Sequence, residues 1–73
     1  MTIEEIKAAA AEVAVALQAA GPEPISAPLR KRFIALRAAL FQRGVFDPVL
    51  VRFETAPNAE IAAELAKLAE SLV

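Results

Sequence analysis

The chain has 73 residues, 58% of them in the AVILMFWYC set, a net charge of −1, and neither His nor Cys. Disulfides are excluded, and a structural zinc site loses both of its usual ligand types. At this length the apolar area buried on folding barely offsets the entropy of ordering the chain, so one domain is expected, with association as the remaining aid to stability.

The first predicted helix spans 3–20. Thr2 can cap it, with Glu5 three residues on as the reciprocal partner in a capping box. Ile3, Ile6, Ala10, Val13 and Leu17 recur at helical spacing and form a core stripe. Ala8, Ala11, Val15 and Ala19 lie opposite. Alanine there can simply supply helix propensity, or it can let a second helix approach closely. Val15 favours the second reading.

Residues 21–27 form a proline-rich spacer. Pro22, Pro24 and Pro28 stiffen it, but they do not make the PxxP spacing of a proline-rich ligand. Ile25 is expected to tuck under the bundle.

The next stretch, Pro28 to Phe53, organises the chain. It holds all four aromatic residues, Phe33, Phe41, Phe46 and Phe53. It also holds most of the basic ones, Arg30, Lys31, Arg32, Arg37, Arg43 and Arg52. A helix is predicted over 28–43. Leu29, Phe33, Leu36 and Leu40 share one face. Ile34 and Phe41 form a second apolar stripe, about 120° round. Arg30 and Arg37 divide the two. Covering one small core needs one stripe. Two stripes call for two packing partners, either both in this chain or one in another subunit. Arg37, between them, needs a carboxylate such as Glu54, Glu60 or Glu64, or a backbone carbonyl, unless its head reaches water over a buried stem.

Gly44 suits the left-handed residue past a helix end, with Val45 folding back on Leu40. Asp47 and Pro48 then supply an N-cap and a first helical residue. The run Val49–Phe53 fits either a short helix over 48–54 or an alternating strand. The helix is preferred, because a lone strand leaves its ladder unpaired. A strand paired with its own copy across a two-fold axis is the alternative. Pro57 breaks the chain again, and Asn58 or Thr55 is expected to cap a last helix over 58–72. Its seam is Ile61, Leu65, Leu68 and Leu72, while Glu60, Glu64, Lys67 and Ser71 are expected to face water.

The fold class that follows is all-α. Three main helices and a short one make a small bundle, completed by oligomerisation.

Little chemistry is available to these residues. Ser26, Ser71, Thr2 and Thr55 sit at caps or ends with no base to activate them. The two glycines are isolated, so no phosphate loop exists. No catalytic residue, cofactor or metal is expected. No run of about 18 residues lacks charges, so no membrane span is expected. Glu4 and Glu5 stand where a signal peptide would be basic, so a cytoplasmic setting is expected. Membrane-surface binding is disfavoured, because the basic helix lacks a single broad apolar face.

Nucleic acid is the rival partner. The basic helix could meet phosphates, but its cations do not share a stripe, acidic segments flank it, and the pI is 5.3. The functional expectation is a protein-interaction or scaffolding module that binds itself as a homodimer or higher oligomer, alone or as an accessory subunit of a larger assembly. Mean hydropathy of +0.49 points the same way. Interface residues are expected to be Val15, Phe33, Ile34, Arg37, Leu40, Phe41, Val45 and Phe46.

Overall fold

The computed structural model describes residues 2–72. The described residues form four helices: α1 (Ile3–Ala20), α2 (Ala27–Gln42), α3 (Pro48–Val51) and α4 (Asn58–Ser71). None of them lies in a strand. The all-α expectation is met, and the short-helix reading of Val49–Phe53 prevails over the strand. That helix ends at Val51, however, rather than at 54. Thr55 and Ala56 both donate to the Arg52 carbonyl, which closes a turn in place of further helix. Pro57 lies just ahead and disfavours helical backbone before it.

Each helix end follows from local chemistry. Thr2 N–H donates to the Glu5 carboxylate at 3.0 Å, and Glu5 N–H donates to the Thr2 hydroxyl at 3.1 Å, completing the capping box. The bond from the Thr2 backbone, and then the one from its hydroxyl, hold the Glu5 carboxyl below its ordinary range. Ser26 caps α2 by accepting from Leu29 N–H. At the far end Arg43 is the C-cap and Gly44 takes a φ of 81°. Gly44 N–H donates to Phe41 O and Val45 N–H to Leu40 O, the two reversed bonds of a Schellman motif. Asp47 then caps α3, accepting from Val49 N–H at 2.8 Å.

The α4 start departs from expectation. Pro57 occupies the cap position, and no side chain caps the helix. The Asn58 amide is engaged elsewhere, donating to Gly21 O at 2.9 Å and Glu23 O at 2.8 Å. Thr55 turns its hydroxyl back to Arg52 O.

α1 packs most extensively on α4, and less so on α2; α3 lies against α4. The core is built from Ile6, Ala10, Val13, Ala14 and Leu17 of α1, Phe33, Leu36 and Leu40 of α2, Leu50 of α3, and Ile61, Ala62 and Leu65 of α4. Periodicity selects most of them, but Ala14 and Ala62 join the core unforeseen, while Ile3, Leu29, Leu68 and Leu72 of the expected stripes are only half-buried. The Cα radius of gyration is 11.0 Å, matching the roughly 11 Å of a compact monomer of this length.

Candidate interaction surface

The Schellman turn decides what α2 shows to solvent. It brings the chain back over the end of the helix, and Phe46 lands on Phe41. Their ring centroids are 5.2 Å apart with planes tilted by 39°. Phe46 nonetheless remains 72% exposed. Phe46, Pro48, Val51 and Arg52 line a shallow depression beside it. Val51 is 55% exposed, and Ile34, two turns before Phe41 on the same stripe, is 40% exposed. Ile34, Phe46 and Val51 are therefore exposed, with Phe41 half-buried beneath Phe46.

The eight residues expected at an interface divide into groups. Phe33 and Leu40 are buried in the core of this chain, each 1% exposed, and reach no surface. They belong to the α2 stripe that faces the bundle, so they leave the interface set. Val15 is exposed on the outer side of α1, together with Ala8, Ala11 and Ala19. It does not join the patch: Arg32, which reaches α1 through Glu12, lies about 160° round α2 from Ile34. Val45 and Arg37 are half-buried. Ile34, Phe41 and Phe46 form the patch, and Val51 is a further member that periodicity did not select. Its neighbour Leu50 took the core position, which turned Val51 outward.

Arg37 has found a carbonyl rather than a carboxylate. One Nη donates to Leu50 O at 3.4 Å. The guanidinium carbon lies 5.2 Å from the Phe53 ring centroid and 6.0 Å from that of Phe41. Phe53 in turn packs on Phe33, with centroids 4.7 Å apart. The seam between the two stripes of α2 is thus filled by Arg37 and Phe53 from one chain.

Several other cations are also engaged internally. Arg30 pairs with Glu54 and lies over Phe53. Arg32 pairs with Glu12 at 3.4 Å. Arg52 Nε donates to Pro48 O. Both ion pairs are exposed, so they order side chains more than they stabilise the fold.

An open groove of about 890 Å³ lies at the end of the bundle. Leu17, Ile25, Phe33, Phe53 and Ile61 line it, and the Arg30–Glu54 pair stands at its edge. Asn58 ties the proline-rich spacer across to α4 on the same side. Sequence reasoning missed this tether, because Asn58 before an apolar run reads as a cap.

Glu64 also differs from expectation. It does not simply face water but is half-buried. Hydrogen bonding with Asp47, then burial and the charge of Asp47, push the Glu64 carboxyl above its ordinary value of 4.5, against an opposing effect of Lys67. Asp47 itself is buried, 9% exposed. Among the described residues no three potential metal-ligating side chains come together. No described helix is long and apolar enough to cross a membrane.

Comparison with protein-family models, with curated proteins and with solved structures found no match to this chain.

Proposed function

We propose that this chain is a non-enzymatic, self-associating interaction module whose contact face is Ile34, Phe41, Phe46 and Val51. The observation that carries this reading is the Phe41–Phe46 pair: a tilted aromatic couple with its outer ring 72% exposed. Aromatic side chains held in one position are the anchors on which interface energy concentrates. A second copy is the proposed occupant, with the same face meeting itself across a two-fold axis. In this arrangement association covers a patch on an already compact chain.

The nucleic-acid alternative is weakened by the internal engagement of Arg30, Arg32, Arg37 and Arg52. A duplex-binding surface keeps its cations available to phosphates. Light scattering of the wild-type chain and of Phe46→Glu, at about 50 μM, tests the proposal at an affinity typical of weak self-association. The expected result is a dimer that the substitution converts to a monomer of unchanged helical content. A wild-type monomer at that concentration overturns the reading, and retention on heparin at low salt would favour the alternative.

A further inference from the structure

We propose that the face built on Ile34, Phe41, Phe46 and Val51 takes a hetero-partner in place of the second copy: an acidic amphipathic helix of another protein. This rests on the reading of that face as a contact surface and adds the chemistry of a further occupant. Charge carries it. α2 contains no acidic residue. Between Pro28 and Phe53 the one carboxylate is Asp47, which is buried and serves as the α3 cap. Glu54, next along, pairs with Arg30. Two cations at the edge of the patch have no such cover. Lys31 is exposed and lies one turn before Ile34 on the same side of α2. Arg52 is exposed and lines the depression with Phe46, Pro48 and Val51, its Nε donating to the Pro48 carbonyl. Among the described residues neither Lys31 nor Arg52 meets a carboxylate.

An apolar centre edged by positive charge is a poor electrostatic match for itself. Across a two-fold axis both copies present the same cations, so self-association works against like charge. An acidic partner gains where the copy loses. Its shape follows from α2. Ile34 and Phe41 are two turns apart, about 10 Å along the helix axis. Apolar side chains at i, i+3, i+4 and i+7 of a docking helix span the same length, and glutamates beside them can meet Lys31 and Arg52. Single-stranded nucleic acid is the less suited polyanion, because it needs flat faces for its bases. Ile34 and Val51 are aliphatic and Phe41 is half-buried beneath Phe46, which leaves one ring for stacking.

Fluorescence anisotropy with a labelled synthetic helix, leucine at those four positions and glutamate on its flanks, tests this. The comparison probes are the same peptide with lysine for glutamate, and an oligothymidylate. The glutamate peptide should bind at least about tenfold more tightly than the lysine peptide. Its binding should weaken as NaCl rises from about 50 to about 500 mM, while self-association, followed by light scattering, strengthens over the same range. The double variant Lys31→Gln/Arg52→Gln should bind the glutamate peptide about tenfold less tightly, yet self-associate no less than wild type. Damage to the face would weaken both. Equal binding of the two peptides, tighter binding of the oligothymidylate, or a double variant that binds the peptide as wild type does overturns the proposal. The two readings fail separately. A chain that stays monomeric at every salt concentration refutes the second copy and can still bind the glutamate peptide; a dimer that ignores the peptide refutes the hetero-partner alone.

Discussion

Arg37 donates a hydrogen bond to the backbone carbonyl of Leu50, 3.4 Å away, from a position between the rings of Phe41 and Phe53. An arginine in an apolar seam can be held by a carboxylate, by a carbonyl or by water. Here a carbonyl of α3 holds it, and two aromatic rings flank its guanidinium.

The consequence for stability is direct. Removing one member of a buried ion pair is costly because the other charge is left unpaired. No carboxylate is stranded by loss of Arg37. Arg37→Ala should therefore cost about 1–2 kcal/mol, through lost stem packing and the cation–ring contacts. Arg37→Met, which keeps the stem, should stay within about 1 kcal/mol of wild type. Denaturant melts of both variants check this; a loss above about 3 kcal/mol for the alanine variant would mean a buried ion pair instead.

The difference between what could be read in the sequence and what could not has a physical basis. Ile6, Val13, Leu17, Phe33, Leu36, Leu40, Ile61 and Leu65 announce themselves by spacing, because a helix repeats and burial follows the repeat. Thr2, Gly44 and Asp47 announce themselves because caps act within a few residues. The outward half of the patch was legible for the same reason: Ile34 and Phe41 had to face away once Phe33 and Leu40 faced in. Contacts between elements carry no such local mark. Nothing within a few residues of Asn58 distinguishes a cap from a tether to Gly21 and Glu23 across 35 or more positions. Glu64 is half-buried although its local role, on the outer face of α4, was complete on its own.

Asn58 gives a second prediction. Its amide serves the Gly21 and Glu23 carbonyls at once. Asn58→Ala should destabilise by about 1–2 kcal/mol, the cost of losing one partly buried and one exposed hydrogen bond. Asn58→Asp separates the tether from the helix dipole. A carboxylate in the first turn is favoured by up to about 1 kcal/mol, but here it would face two carbonyl oxygens with no donor. Asn58→Asp should be no more stable than Asn58→Ala in thermal melts at neutral pH. A rescue by aspartate would mean that the dipole outweighs the tether.

Leu50 and Val51 are neighbours with opposite fates, 1% and 55% exposed. Leu50 is the one residue through which the four-residue α3 enters the core. Leu50→Ala should cost about 2–4 kcal/mol, and the lost anchor should also release Phe46 from its place beside Phe41. Val51→Ala should change monomer stability by no more than about 0.5 kcal/mol. The pair of melts distinguishes α3 as a docked element from α3 as an incidental turn: equal, small effects at both positions would show that it contributes nothing to the core.

The two glycines supply the last prediction. Both have positive φ, and a Cβ added at either would find open space, with nothing within 4 Å beyond its chain neighbours. An alanine at either site meets no clash with the rest of the fold, so the backbone alone sets the cost. Gly44, at φ 81°, ends α2 in the Schellman turn. Gly44→Ala should lose about 1–2 kcal/mol, the usual penalty for an L-residue in left-handed geometry. Gly21 ends α1 at φ 62° and ψ −137°. That combination lies toward the extended positive-φ region, which is used almost only by glycine and costs other residues about 1–3 kcal/mol. Gly21→Ala should therefore be the more damaging substitution, although residues 21–27 look like a permissive spacer in the sequence. Its effect should also reach α4, because Gly21 O accepts from Asn58. Denaturant melts of the two single variants rank them, and a Gly44→Ala loss exceeding that of Gly21→Ala would place the tighter constraint at the end of α2 instead.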